Sequence, residues 1–135
     1  MRKASPNAKT AYALLRLALR RKDPRAAYAL GTWYLHGVFV KKDIRKAIEL
    51  LRLAADNNIP EALFDLAVSY ETGQGVRVNL KSAALNYIRA ALNGDQQAVY
   101  EVGRCYYYGI GLRRDRGLAA IWLDHAEGMN RVRLR

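Results

Sequence analysis

The sequence predicts an all-α solenoid of helix-turn-helix repeats. Three observations carry this. First, the chain of 135 residues repeats itself every 36 residues. Ala26, Ala62 and Ala98 fall in register, as do Tyr34, Tyr70 and Tyr106, and Gly37, Gly73 and Gly109. Second, each unit holds two helix-length amphipathic stretches with small residues at matched positions: Ala47, Ala83 and Ala119, then Ala54, Ala90 and Ala126. Third, glycines separate the two stretches where a chain must reverse. A repeat array buries its core between neighbours and leaves an extended face free for a partner.

The elements follow in order. Residues 7–22 fit the ruler as an orphan second helix (helix B). Asn7 falls on the Asp43 position, Ala11 on Ala47, Leu14 on Leu50 and Ala18 on Ala54. This stretch is predicted to cap the first full hairpin. It is Arg-rich, acid-free and partly apolar, in the manner of a transit peptide, but the register accounts for the same residues. Repeats are predicted over 25–60, 61–96 and 97–132, all within one domain spanning 1–135.

In the middle repeat, Pro60 precedes Glu61 and suits a helix start. Ala62, Leu66, Ala67 and Tyr70 then recur at spacings of three and four. Thr72-Gly73-Gln74-Gly75 stops this first helix (helix A), because glycine takes the left-handed conformation that closes a helix. Val76 plugs the turn, and Asn79 is placed to cap helix B. Ala83, Ala84, Tyr87, Ala90 and Ala91 form its inner stripe, and Asn93-Gly94 ends it. Asp43 and Asp115 occupy the Asn79 position in the other repeats and read as caps too. Tyr34, Tyr70 and Tyr106 are the expected large knobs between units. The last helix B is predicted to run to about Glu127. Beyond it, either the Met129–Arg135 tail folds back or the edge is open to a partner, another copy of the chain included.

Charge and composition bound the function. The chain carries 23 Lys and Arg against 12 Asp and Glu, a net charge of +11. Such a balance favours acidic partners: an acidic protein, nucleic acid or an anionic membrane surface. It equally suits a solvated surface. A single cysteine, Cys105, excludes an internal disulfide and a multi-thiolate zinc site. It is expected as a small buried hydrophobe and suits a cytoplasmic setting. No apolar run is long enough to span a membrane.

No catalytic constellation emerges. His36 and His125 are unrelated in register, so no metal or cofactor site is expected. The paired turn glycines lack the strand and Gly-Lys-Ser/Thr ending of a phosphate loop.

The first repeat reads Ala26, Leu30, Gly31, Tyr34, Gly37, Val40, Asp43, Lys46, Ala47. The second keeps Ala62, Leu66, Tyr70, Gly73, Gly75, Val76, Asn79 and Ala83; the third keeps Ala98, Gly103, Tyr106, Gly109, Gly111, Asp115 and Ala119. This order resembles the Sel-one-like repeat, a relative of the tetratricopeptide repeat. Departures are Phe39 where the second turn glycine is usual, Ala67 for the glycine after Leu66, and Ser82 and Leu118 for the lysine before the helix B alanine. The resemblance implies a right-handed superhelix, no enzymatic activity, and an adaptor or scaffold role.

It also implies that the A helices line the concave side. The columns left for that side read Tyr28, Phe64, Tyr100; Thr32, Val68, Arg104; and Leu35, Glu71, Tyr107. They are the candidate groove for a partner protein segment, Tyr and Arg being the residues that dominate interfaces. The alternative is that the aromatics pack between neighbouring A helices. A second candidate is a basic turn edge, with Lys41, Arg77 and Arg113 in one column, Lys9, Arg45 and Lys81 in another, and Arg114 beside them. It could meet an acidic strip or nucleic acid, although single-strand binding would want interleaved aromatics. An immunity protein blocking a toxin is a further alternative, the partner then being a toxin.

Overall fold

The computed structural model describes residues 7–133, with side chains placed from 7 to 128. Among the described residues the chain forms α1 (Ala8–Arg20), α2 (Pro24–His36), α3 (Ile44–Asp56), α4 (Pro60–Thr72), α5 (Leu80–Leu92), α6 (Gln96–Tyr108) and α7 (Arg116–Arg133). Helices α2, α4 and α6 are the A helices of three hairpins, and α3, α5 and α7 their B partners. Each hairpin packs tightly, and each B helix also rests on the next A helix. The array is an all-α repeat solenoid.

The A-to-B turn is built on one plan three times. Gly37, Gly73 and Gly109 close the A helices at φ +67°, +79° and +73°. The amide of each following cap residue donates back to the tyrosine carbonyl, Asp43 to Tyr34, Asn79 to Tyr70 and Asp115 to Tyr106, at 2.9 Å each. The same three side chains accept the amides of Lys46, Ser82 and Leu118. One residue thus ties both helices of a hairpin together, which explains the fixed spacing.

Phe39 holds φ +63° where Gly75 and Gly111 hold +76° and +68°. The left-handed backbone is thus kept at this turn, and the local difference expected there lies in the side chain and in an added bond from the Val40 amide to the Val38 carbonyl at 2.6 Å. A phenylalanine is strained there, and its ring packs at 5.2 Å from Tyr12 and 6.1 Å from Trp33. Only the first turn faces α1, where Ala8 stands in the register of the bulkier Ile44 and Leu80.

Two core clusters share Phe64 and Ala91 at their junction. The B-helix alanines 47, 54, 83, 90 and 119 are fully buried, so helices in a hairpin can approach closely. Of the three expected tyrosine knobs, Tyr34 is buried, whereas Tyr70 and Tyr106 are half-buried at the rim. The fully packed tyrosine is Tyr87.

The two ends of the array depart from the pattern of the repeats. Asn7 has helical dihedrals and makes no side-chain cap bond, unlike its register mates. Helix α7 continues to Arg133, six residues past Glu127. The earlier B helices stop at Asn57 and Asn93, whose amides bond Leu53 and Arg89 carbonyls before a left-handed residue. Met129 occupies that position in the third repeat and has no amide to offer. Arg2 and Lys3, and the side chains of Arg131, Arg133 and Arg135, lie outside the described residues.

Candidate protein-binding face

The face formed by α2, α4 and α6 carries all nine groove candidates, but they are not equivalent. Tyr28 and Leu35 are half-buried against the first core cluster. Phe64 bridges both clusters and meets the Tyr87 ring edge-on at 5.5 Å. Val68 packs on the second cluster, and Thr32 donates its hydroxyl to the Ala29 carbonyl at 2.7 Å. Tyr100 is 54% exposed. Tyr107 is half-buried, with the Tyr108 ring at 4.9 Å and the Arg116 guanidinium 4.5 Å over its own ring.

Glu71 and Arg104 are brought together rather than left free. Arg104 Nη2 donates to Glu71 Oε1 at 2.7 Å, and its Nε donates to Glu101 Oε2 at 2.7 Å. The Tyr87 hydroxyl donates to the same Glu71 oxygen at 3.0 Å. Three helices meet in this network. The Arg104 bond, and secondly the Tyr87 hydroxyl, hold the Glu71 carboxyl below its ordinary range against the opposing effect of burial. It acts as a clamp between the second and third repeats.

An acidic feature of the face escaped the sequence reading. Asp65 sits one residue after Phe64, one helical turn from Glu61, and close to the α6 cap Asp95. Desolvation, then repulsion from Asp95 and Glu61, raises its pKa from 3.8 to about 6. Burial, then the same three carboxylates, raises the Tyr28 phenol as well. No described side chain donates a hydrogen bond or ion pair to Asp65. A useful signal was available: the A helices carry only two bases, Arg25 and Arg104, against four acids.

Asp65 therefore works against folding at neutral pH. Its folded pKa lies above the unfolded value, so the folded state holds the proton more tightly. Its own contribution to stability is greatest below about pH 4 and falls as pH rises through 6, by up to about 3 kcal/mol, whereas that of Glu71, with its lowered pKa, is lost on acidification. Asp65→Asn is expected to raise the melting temperature at pH 7–8 and to leave it unchanged below pH 4. Thermal melts across that range check this.

The seven cations of the candidate basic edge are not paired with acids of the described fold. Lys9, Lys41, Arg45, Arg77, Lys81, Arg113 and Arg114 are all exposed, and none forms an ion pair among the described residues. In the first and third repeats the edge carries open recesses in matching register, about 490 and 430 Å³, floored by Tyr34 and Tyr106. Nothing in these recesses is aimed at a ligand.

The described residues contain no cluster of three or more potential metal ligands. His36 and His125 are exposed. Cys105 is fully buried, and desolvation pushes its thiol up to about 11, the wrong direction for a nucleophile. No helix among the described residues is long and apolar enough to cross a membrane.

Comparison with known proteins agrees with this architecture. Among curated proteins none matches the chain. The crystal structure of a Sel1 repeat protein from Oxalobacter formigenes is 34% identical, with a TM-score of 0.79 over 85% of this chain and 86% of that one. The structure of c5321, a protective antigen present in uropathogenic Escherichia coli strains and displaying an SLR fold, is 30% identical with a TM-score of 0.82; the match covers 85% of this chain and 25% of that longer one. Helicobacter pylori cysteine rich protein B shares the fold at 23% identity and a TM-score of 0.64, over 85% and 87% of the two chains. The Sel1 repeat model matches residues 24–59, 60–95 and 96–126, each beginning at the first turn of an A helix or the residue opening it, and the chain belongs to the Sel1 repeat family.

Proposed function

We propose that this chain is a non-catalytic adaptor that holds a segment of a partner protein along the face of α2, α4 and α6. Sel1-repeat proteins generally mediate protein–protein interactions. The observation that carries the assignment to this face is an exposed aromatic side chain in its third repeat, Tyr100, at 54% exposure. Rigid aromatics bury much area for little lost entropy, so their exposure is best explained by an incoming surface. A face this long could bury about 800 Å², a standard-size contact. Where the captured protein is a toxin, the adaptor is a toxin-neutralising one.

Photocrosslinking tests the site. With p-benzoylphenylalanine in place of Tyr100, a discrete crosslinked protein is expected from cells of the source organism. With the same residue in place of Leu85, exposed on the B-helix side, none is expected. The opposite pattern would refute the assignment.

A second reading places the contact on the basic edge, where seven exposed cations lack ion-pair partners among the described residues. Crosslinks would then arise from position 77, and binding to duplex nucleic acid would fall steeply with added salt.

A further inference from the structure

Charge is segregated between the two layers of the solenoid. The A helices carry four acids, Glu61, Asp65, Glu71 and Glu101, against two bases, Arg25 and Arg104. They form a layer of net charge −2 in a chain of net charge +11, the negative charge coming from α4 with Glu61, Asp65 and Glu71. The B helices α3, α5 and α7 also carry four acids, but against eight bases, and further cations lie on the turn edge. Within the negative layer, Arg104 is engaged by Glu71 and Glu101. Glu61 and Asp65 form no ion pair among the described residues, and Asp95 offers its carboxylate only to the Ala98 amide.

Net charge alone points to an acidic partner. Beyond a Debye length of about 8 Å at physiological salt, however, the distant cations are screened, and the local sign governs contact. Here the local sign is negative, and apolar rings stand beside it.

We propose that the A-helix face docks a Lys- and Arg-rich segment of a partner protein. Its cationic heads take Asp65, Glu61 and Asp95 as counter-ions, and its side-chain stems lie on Tyr28, Phe64 and Tyr100. This rests on the adaptor function assigned to that face and specifies the partner's chemistry. A cation beside aromatic faces gains both the carboxylate charge and the ring quadrupole. The energetic penalty of Asp65 fits the same account, since an unpaired, partly desolvated acid weakens the free protein and is satisfied when a cation arrives.

Selection from a random dodecapeptide phage library on the immobilised full chain tests this. The retained sequences are expected to be enriched in Lys and Arg. Synthetic copies should bind Asp65→Asn/Glu61→Gln protein at least ten-fold more weakly by fluorescence anisotropy. The variant is expected to fold, because Asp65→Asn is stabilising, and circular dichroism verifies it. A non-specific electrostatic artefact would select acidic peptides on a protein of net charge +11, so it cannot mimic this result.

Acidic or uncharged sequences, or no enrichment, would overturn the proposal. If uncharged sequences were retained and lost on Tyr100→Ala protein, only the charge assignment would fail. If the retained sequences bound Tyr100→Ala and Asp65→Asn/Glu61→Gln proteins as well as the parent, the groove itself would fail with it.

Discussion

Gly111→Ala is expected to destabilise the chain by about 3 kcal/mol or more, the largest effect of any glycine substitution here. Two causes add. Gly111 has φ +68°, where a side chain is strained. A Cβ at this position would also fall 1.9 Å from the Leu80 carbonyl oxygen and 2.9 Å from the Lys81 nitrogen, both backbone atoms of the preceding B helix. Backbone cannot swing aside, so α5 and the third turn would have to separate. Gly75→Ala should cost less, because its Cβ would meet side-chain atoms of Ile44 and Ile48. Gly94→Ala should cost least, at about 1 kcal/mol, since nothing lies within 4 Å and only φ +101° opposes it. Urea melts of the three variants test the order Gly111, Gly75, Gly94. Equal losses would mean that backbone strain alone sets the cost and that the close turn-to-helix contact is immaterial.

Phe39 shows how much of this was legible in the sequence. The 36-residue register placed the hairpins, the turn glycines and the caps Asp43, Asn79 and Asp115, because each is a local demand on a single residue type. The register marked Phe39 as a departure, yet its consequence depended on α1, whose Ala8 and Tyr12 belong to another unit. Asn7 aligns with the cap Asp43, but lacks the extended dihedrals a cap requires. The groove was harder to read. Glu71 and Arg104 lie in different columns, 33 residues apart, and pair only because α4 and α6 stand side by side. Column-by-column reading left both free for a partner. Net charge hid the acidic A layer, since a sum over the chain carries no position. Asp65 was passed over because its column reads Ala29, Asp65, Glu101 and repeats no residue type.

Tyr87→Ala is expected to cost about 3–5 kcal/mol, in line with truncation of other large buried aromatics. Tyr87 is 2% exposed and holds the second and third repeats together in two ways. Its ring fills the second core cluster and packs on Phe64, and its hydroxyl helps to fix Glu71 for Arg104. Tyr87→Phe removes only the hydroxyl and should cost about 1 kcal/mol. The register supplies a sharper test. In the outer repeats Gly31 faces Leu51 and Gly103 faces Leu123, with room for little more than a hydrogen; a Cβ would come within 3.2 Å and 2.8 Å of those leucines. The middle repeat has Ala67 and Tyr87 in the same columns, both buried in one cluster. A flat ring tolerates the extra methyl where a branched leucine does not. Ala67→Gly should therefore cost about 1 kcal/mol in the parent, as helix propensity dictates, and distinctly less in a Tyr87→Leu background. A double-mutant cycle measures the difference. Additive costs would show that the two columns pack independently, and that the exchange of Gly–Leu for Ala–Tyr in the middle repeat has no steric basis.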